Sequence, residues 1–413
     1  MTIVGTEAPF VPRVFYGWFV VAAAFTVTLV GFGSDYTFSA FVDSLQRDFA
    51  ASRGSVSLVF SLAGFLYFGL GMISGPLADR WGSRRLCMAG MILVAVGLCA
   101  ASVARSLTEV YVAYGLGIGL GVGCSYVPAL GAVQRWFVRH RGLASGIAVS
   151  GIGVGTLVMP PLASLLVATV GWRHAYLALG VFAAVVGVGM ALLIENDPRD
   201  RGLAPDGDVL HSDSPQGPPA GFTVREAVRS RRFFGLYAAC LICSFGIFVP
   251  FVHLIPYALD HGIPRASAVL LLGGVGVGST AGRFFLGGVA DKLGRERALM
   301  VMFAGMALTS LIWVCSTGFW GLAVFALSYG VLYGGFVAIL PALTMDYFGG
   351  RHVSGIIGVL YTSIAFGTLI GPSAAGFAFD VSHSYTLPIL IGVCGNVVAA
   401  LIMLGVSTWA TPP

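Results

Sequence analysis

The sequence predicts an all-α membrane protein with about twelve spanning helices. Charged residues make up only 10% of the 413 residues and apolar residues make up 57%, and the mean hydropathy is +0.89. A typical soluble protein is about 25% charged. Apolar runs of about 20 residues, the length that crosses a bilayer as a helix, recur from one end of the chain to the other. They are too long and too uniformly apolar for membrane β-strands, so helices are required.

The apolar runs give the expected spans in chain order, and one long polar stretch separates the first six from the last six. That stretch, 195–230, contains five prolines and several aspartates, which predicts a flexible cytoplasmic tether. The expected domains are therefore a six-helix bundle at 1–194, the tether at 195–230 and a second six-helix bundle at 231–413. The expected spans are 14–41, 54–75, 86–104, 108–133, 142–167, 172–194, 232–258, 266–290, 298–315, 319–345, 353–377 and 385–408.

The basic residues are distributed unevenly across these spans. With both termini in the cytoplasm, only five of the 23 Lys and Arg residues fall on the opposite side, and Arg283 lies within a span. The positive-inside rule favours this orientation. The net charge of +5 is then a signal of topology, and a nucleic-acid partner is not expected. Lys292 is the only lysine, a usage that indicates a GC-rich bacterial genome and hence a bacterial inner membrane. The five residues on the opposite side are Arg47, Arg53, Arg105, Arg173 and Arg265.

The two groups of six spans are related to each other. A shift of 212 residues superimposes Gly75, Asp79 and Gly82 on Gly287, Asp291 and Gly294. A repeat of this kind predicts two six-helix halves with a site between them near the middle of the membrane.

The repeated segment reads GPLADRWGSRR at 75–85 and GGVADKLGRER at 287–297. It resembles the loop signature of the major facilitator superfamily. Its glycines let two helices approach closely, and its aspartate and basic cluster could pair across the cytoplasmic seam of a closed state. The alternative is a loop that only directs topology, with generic turn residues. The expected gating residues are Gly75, Asp79, Arg80, Gly82, Arg84, Arg85, Gly287, Asp291, Lys292, Gly294 and Arg295.

Within that superfamily, the chain resembles the branch of bacterial monocarboxylate and oxalate/formate transporters. The resemblance implies a secondary active transporter that works by alternating access. One departure matters, because the animal monocarboxylate carriers have an acidic residue four positions before the arginine of the eighth helix, whereas this chain has Ser279 before Arg283. The segments that carry the resemblance are 16–18 (YGW), 125–128 (SYVP), 141–151 (RGLASGIAVSG), 251–263 (FVHLIPYALDHGI), 282–283 (GR) and 329–335 (YGVLYGG).

Arg283 is the only basic residue that lies deep within an expected span. A charge in the membrane interior costs roughly 2.5 to 3.5 kcal/mol on insertion scales and persists mainly where function requires it. A guanidinium group offers paired N–H donors that suit one carboxylate. We therefore expect Arg283 to bind an anionic substrate. The alternative is a permanent ion pair with Asp35 that only locks the two halves together.

Asp35 and His253 are the deepest acid and the deepest histidine, in the first and seventh spans. Loss of hydration at that depth favours the protonated form of a carboxyl group. An alignment of Tyr16-Gly17 with 234–235 places Asp35 opposite His253, so both are candidates for proton coupling. The alternatives are a solvated Asp35 near the outer interface and a hydrogen-bonded structural His253.

Four tyrosines in the expected spans could donate a hydroxyl group to a carboxylate. The alternative for each is an ordinary interfacial tyrosine. The resemblance favours Tyr126 and Tyr333 among them. These candidates for substrate binding are Tyr36, Tyr126, Tyr329 and Tyr333.

The glycine runs at 115–123 and 273–278 lie inside apolar spans with no strand before them, so helix packing explains them better than nucleotide binding. Neither a catalytic constellation nor a cofactor or metal site is expected, and the seven scattered cysteines predict no disulfide framework. An enzyme is therefore not expected.

The leading hypothesis is a proton-coupled carrier of a small monocarboxylate, of the class of lactate and pyruvate, that is monomeric in the cell membrane. One deep cation matches one negative charge. An exchanger of the oxalate/formate type is the alternative, and it would be expected to need a second deep cation. A carrier of neutral solutes and a membrane receptor that transports nothing are further alternatives.

Overall fold

The computed structural model describes residues 15–137, 141–207, 221–349 and 353–407. For some helical residues within these ranges, among them Asp79 and Asp291, only the backbone is described. Helices dominate these ranges, where the β-structure is a single bridge between Gly221 and Gly349. The α-helices in chain order are α1 Gly17–Tyr36, α2 Phe38–Phe49, α3 Arg53–Trp81, α4 Ser83–Ser102, α5 Leu107–Val110, α6 Gly117–Trp136, α7 Arg141–Phe182, α8 Val188–Ala191, α9 Val224–Val228, α10 Arg231–Ile247, α11 Val249–Asp260, α12 Arg265–Leu293, α13 Arg295–Cys315, α14 Phe319–Phe348, α15 Val353–Ser382 and α16 Thr386–Ser407.

Eleven helical stretches of the described chain are long and apolar enough to cross a membrane. One of them, Leu143–Ala191, has 49 residues, which is enough for two crossings. Gly171 interrupts it with φ 79° and ψ 161°, a backbone conformation that favours glycine. The described helices therefore provide enough length for twelve crossings, and the predicted all-α polytopic fold is confirmed.

The first and seventh crossings are each broken into two helices. Thr37 separates α1 from α2, and Phe248 separates α10 from α11. The two break residues are separated in the sequence by the 212-residue offset of the repeat to within one residue. The repeat therefore includes the breaks in the two helices. Both crossings also run beyond the expected ends, to Phe49 and Asp260.

The expected equivalence of Asp35 and His253 does not hold in this structure. Asp35 precedes the break of the first crossing, whereas His253 follows the break of the seventh. The alignment that paired them used an offset of 218 residues, six more than the repeat itself requires.

The two halves pack along two lines, α3 against α15 and α7 against α12. Glycines bring the backbones together there, since a Cβ atom added to Gly376 of α15 would lie 2.8 Å from the Cα atom of Gly54 in α3. We refer to the end of the bundle with residues 75–85 and 287–297 as the motif end. The far end contains residues 49–53 and 260–265.

At the motif end, Gly82 and Gly294 have φ values of 85° and 90° and join α3 to α4 and α12 to α13. Their equivalent conformations explain why the repeat keeps glycine at both positions. Arg84 pairs with Glu195 at 2.8 Å, and Arg295 pairs with Asp346 at 2.6 Å.

Neither ion pair joins the two halves: the first lies within the first half and the second within the second half. Asp79 and Asp291 are each expected to pair with basic residues across the seam. Their side chains are not among those that the structure describes. That part of the gating hypothesis therefore stays a prediction, as do the roles of Gly75, Arg80, Arg85, Gly287 and Lys292.

The start of the expected tether is docked on the first half. Burial opposes ionisation of Glu195, but ion pairs with Arg201 and Arg84 outweigh it and hold the pKa of this carboxyl group below its usual value. The Asn196 side chain accepts from Ser83, with 3.0 Å between the two oxygen atoms. The tether was expected to be flexible throughout, but its first residues are held by the ends of α4 and α6. The domain boundaries at 194 and 231 stay predictions.

Candidate substrate-binding site

Arg283 lies in the middle of α12, and its side chain is 6% exposed. None of its three guanidinium nitrogens has a hydrogen-bond partner among the described atoms. One turn earlier in α12, the buried hydroxyl group of Ser279 is also without a partner. A buried cation without a counterion or hydrogen bonds is strongly unfavourable. The arrangement therefore fits a site that an anion completes.

A small cavity adjoins Arg283, with about 20 Å³ of room for the centres of water-sized molecules. Its wall is otherwise apolar or aromatic, and Arg283 is the one charged residue in it. Four helices of the first half supply the wall together with three helices and the break residue Phe248 of the second half, so the cavity lies between the halves. The lining residues are Phe32, Phe68, Tyr126, Ile152, Phe248, Arg283, Tyr333, Phe336, Val337, Leu340, Tyr361 and Ile364.

Three of these lining residues are tyrosines. Tyr126 in α6 and Tyr361 in α15 lie within electrostatic range of each other and of Arg283. The third, Tyr333 in α14, shares a hydrogen bond with Tyr36 in α1, with 3.3 Å between the two hydroxyl oxygens. The cavity thus presents one guanidinium group and several hydroxyl groups, which is a set of donors suited to one carboxylate.

Aromatic rings fix the tyrosines in place. Tyr36 stacks on Phe251 with ring centroids 4.7 Å apart, and Phe251 packs against Tyr333 at 5.1 Å. Phe32 meets Tyr126 edge to face at 5.0 Å. Because these rings come from both halves, a movement of one half relative to the other would change the spacing of the hydroxyl groups.

Asp35 lies behind this wall and is fully buried in α1. The Tyr67 hydroxyl is a close polar neighbour of its carboxyl group, although no hydrogen bond of standard geometry to either oxygen is formed among the described atoms. The Tyr114 hydroxyl donates to the carbonyl oxygens of Ser34 and Asp35, both at 3.0 Å, where the first crossing breaks. Burial in these surroundings makes an ionised carboxyl group costly, which keeps Asp35 a candidate for proton coupling.

The structure contains no ion pair between Asp35 and Arg283, because the polar atoms of both side chains are without partners. The hydrogen-bonded hydroxyl groups of Tyr36 and Tyr333 lie within electrostatic range of both charges. The Asp35 and Arg283 side chains therefore have a shared pair of tyrosines as neighbours. The alternative of a permanent lock between Asp35 and Arg283 is absent from this conformation.

Two of the candidate residues lie away from the cavity. The Tyr329 hydroxyl donates to the carbonyl oxygen of Ile247 at 2.9 Å, which holds α14 against the break of the seventh crossing. His253 lies near the far end, where its ring nitrogens contact the Pro372 carbonyl at 2.8 Å and the Tyr385 hydroxyl at 3.0 Å. Neither residue is part of the cavity wall.

Sequence reasoning missed Tyr361, Tyr67 and the aromatic wall. A tyrosine or phenylalanine in an apolar run carries no signal of which way it faces. Only the rotation of each helix in the bundle decides this.

The fold and the cavity define the class of this molecule as a polytopic membrane transport protein. The profile of the Major Facilitator Superfamily matches residues 23–315 and, in a second match, 238–413. The chain is 30% identical to "Monocarboxylate transporter 12" of Rattus norvegicus, over 98% of this chain and 87% of the relative. It is also 30% identical to "Monocarboxylate transporter 3" of Rattus norvegicus, over 95% of this chain and 80% of the relative.

The chain belongs to the Major Facilitator Superfamily, in its branch of monocarboxylate transporters. It is therefore a transporter and not an enzyme. "Monocarboxylate transporter 4" of Mus musculus is 27% identical over 94% of this chain. Among solved structures, a bacterial homolog of the human lysosomal transporter Spinster, in an inward-facing and unoccupied conformation, superimposes with a TM-score of 0.71 at 15% identity. It covers 96% of this chain and 99% of its own, and it shows the same fold.

Proposed function

We propose that this protein carries a small monocarboxylate across the membrane by alternating access, together with a proton. The observation that carries the proposal is the free guanidinium group of Arg283 in a cavity between the two halves. In an otherwise apolar wall, one cation selects one negative charge, and the tyrosine hydroxyl groups complete the hydrogen bonds of a carboxylate.

The proposed substrate site consists of Arg283 with the hydroxyl groups of Tyr126, Tyr333 and Tyr361. Tyr36 takes part through its hydrogen bond to Tyr333. A dicarboxylate would leave its second charge without a partner in this wall, which disfavours the oxalate-type exchanger. A neutral solute would leave the guanidinium group unpaired, which disfavours the neutral-solute carrier.

Asp35 is the proposed proton site. When Asp35 is neutral, the positive charge of Arg283 and the negative charge of the bound monocarboxylate cancel, and the central region has no net charge. Without the proton, Asp35 would be a buried anion next to an anionic substrate, and the two would repel each other. Binding of the substrate and binding of the proton should therefore favour each other.

We propose that the motif end faces the cytoplasm of a bacterial cell, with both termini on that side, because most of the basic residues lie there. In this orientation the far end, which is closed by ion pairs in this structure, faces outward. One chain contains the whole proposed site, so the transporter would work as a monomer.

The test is uptake into proteoliposomes of purified protein. A panel of labelled lactate, pyruvate, acetate, oxalate and the neutral lactamide would be offered with and without an inward proton gradient. We expect accumulation of at least one monocarboxylate that requires the gradient and is competed by other monocarboxylates. Equal uptake of lactamide, or uptake of oxalate alone, would contradict the proposal.

A further inference from the structure

The far end of the molecule is held shut by a network of hydrogen bonds between the two halves. We call it the far-end latch, and it consists of Arg53, Ser57, His253, Asp260, Asp380 and Tyr385. Arg53 and Ser57 belong to α3 of the first half, and the other members belong to α11, α15 and the start of α16 in the second half.

Arg53 makes the charged contacts of the latch. Its guanidinium group donates to both carboxylate oxygens of Asp260, at 2.6 Å and 2.9 Å. Its backbone N–H and that of Gly54 donate to the two carboxylate oxygens of Asp380, at 3.0 Å and 2.9 Å. The Asp380 carboxylate therefore caps the amino end of α3 from the opposite half.

His253 is connected to Arg53 through one tyrosine. Arg53 donates from Nη1 to the hydroxyl oxygen of Tyr385 at 3.0 Å. The Tyr385 hydroxyl lies 3.0 Å from Nδ1 of His253, and Nε2 of His253 lies 2.8 Å from the carbonyl oxygen of Pro372. His253 is fully buried, and its ring also lies 3.4 Å from the Ser57 hydroxyl of the first half.

A neutral His253 with its hydrogen on Nε2 satisfies all of these hydrogen bonds. A carbonyl oxygen only accepts, so Nε2 carries a hydrogen and donates to Pro372. Tyr385 accepts from Arg53, and its own hydroxyl hydrogen has Nδ1 as its acceptor. The chain runs in one direction, from Arg53 through Tyr385 to His253 and Pro372, and it requires a free lone pair on Nδ1.

A proton on Nδ1 would disrupt this chain. Nδ1 would then be a donor, both it and Arg53 would point hydrogens at the Tyr385 oxygen, and the hydrogen of Tyr385 would lose its acceptor. The imidazolium ion would also add a second buried positive charge within electrostatic range of Arg53.

We propose that His253 is a proton-sensitive switch of the far-end latch, in which the neutral ring keeps the latch closed and protonation releases it. The inference rests on alternating access in the proposed function, and it assigns His253 to the gate, whereas Asp35 keeps the proposed role in proton coupling. With the far end facing outward, an acidic exterior would shift the carrier toward the state that receives substrate from outside.

The other charged groups around His253 do not remove this effect. Asp380 from α15 is the one acid within electrostatic range of the ring, and both of its oxygens are already used by backbone N–H groups of α3. Asp260, on the same helix as His253, is bonded to Arg53. On the neighbouring α2 and α12, Asp43 and Arg265 pair with each other at 3.4 Å.

The sign of the pH effect follows from these contacts. The closed latch binds a proton on His253 less well than the open state, in which water can hydrate the imidazolium ion. Acid should therefore raise the ratio of open to closed far ends. If the two states differ by about tenfold in proton affinity, the ratio rises by up to about tenfold as the pH falls from about 8 to about 5.

The experiment measures the width of the far end directly. Spin labels at Thr108 and Thr317, exposed positions at the far ends of the first and second halves, would report the distance between the halves by pulsed EPR in nanodiscs. Serine would replace the exposed Cys315 and Cys394 in this background. We expect the population with a long distance to grow as the pH falls.

Three variants make the result decisive. In His253→Gln, which cannot bind a proton, we expect the pH response to disappear. Tyr385→Phe should open the far end at high pH, because the chain from Arg53 is cut. Arg283→Lys should keep the pH response, so a failure of the proposed substrate site would leave this result unchanged. An unchanged pH response in His253→Gln, or no response in the unmodified protein, would overturn the proposal.

Discussion

The far-end latch and the central cavity place an arginine side chain in opposite environments. Arg53 has Asp260 at 2.6 Å and Tyr385 at 3.0 Å, and its ring contact with Phe379 at 4.3 Å covers the guanidinium face. Arg283 is more deeply buried, but none of its nitrogens has a partner among the described atoms. The same side chain is thus fully satisfied in one region and unsatisfied in the other.

The difference favours a different role for each region. A paired arginine between two halves holds them together, and its removal changes the balance between conformations. A buried arginine without a partner destabilises the fold, which favours a role in binding a ligand that supplies the partner. Substitutions in the two regions should therefore change different measured quantities.

The largest effect is expected for Arg283→Lys. Lysine keeps the charge but loses the paired donors, so affinity for a monocarboxylate should fall by about 2 to 5 kcal/mol, or roughly 30-fold to several-thousand-fold. The measurement is the concentration dependence of uptake in proteoliposomes. Arg47→Lys, at an exposed arginine of α2, is the matched control and should transport normally. Unchanged affinity in folded Arg283→Lys would remove Arg283 from the substrate site.

The next effect is expected for Asp260→Asn, which removes the charged partner of Arg53. The loss of a charge-assisted pair should shift the ratio of open to closed far ends by about 1 to 3 kcal/mol, or roughly 5-fold to 150-fold, toward open. The spin-label distance at the far end is the readout. Asp48→Asn is the matched control, because Asp48 pairs with Arg173 at 2.8 Å within the first half only. Equal shifts in both variants would argue against a latch between the halves.

A selective effect is expected for Asp35→Asn. The amide cannot release or bind the coupled proton, so accumulation driven by a proton gradient should disappear while exchange between equal solute pools continues. Both rates are measured on the same proteoliposomes. The control is Asn396→Ala, at another buried polar residue. This variant should change gradient-driven accumulation and exchange to the same extent. Normal gradient-driven accumulation in Asp35→Asn would rule out Asp35 as the coupling site.

The smallest effect is expected for Tyr36→Phe, which removes one neutral hydrogen bond to Tyr333. The loss should be about 0.5 to 1.5 kcal/mol, or roughly 2-fold to 13-fold in KM. Tyr329→Phe is the control, since its hydroxyl bonds Ile247 away from the cavity and should affect thermal stability instead of KM. Equal KM changes in both variants would show that the tyrosine pair has no specific role in binding.

Much of the fold was predictable because its signals are strong. Twelve apolar runs and a repeated glycine-aspartate motif are properties of the sequence itself, and the turn glycines Gly82 and Gly294 follow from the motif. Two features of the backbone were not predicted. The fifth and sixth crossings form one helical stretch that is interrupted only at Gly171, and the first and seventh crossings are broken at Thr37 and Phe248. Each depends on local backbone geometry that a hydropathy pattern does not encode.

The candidate site was predictable only in part. Arg283 and Asp35 stand out because a charge in an apolar run is costly. Tyr329 and Tyr361 look alike in sequence, and only the rotation of α14 and α15 places one outside the cavity and the other in its wall. The latch was missed because Arg53 and Asp260 are 207 residues apart and meet only when the two halves pack.

The central claim is that the free guanidinium group of Arg283 binds the carboxylate of the substrate. The most direct test is isothermal titration of the purified protein with the best monocarboxylate of the uptake panel and with its neutral amide analogue, for the unmodified protein and for Arg283→Gln. We predict that the unmodified protein binds the carboxylate far better than the amide, and that Arg283→Gln loses this preference. A preference for the carboxylate that survives in folded Arg283→Gln would contradict the claim.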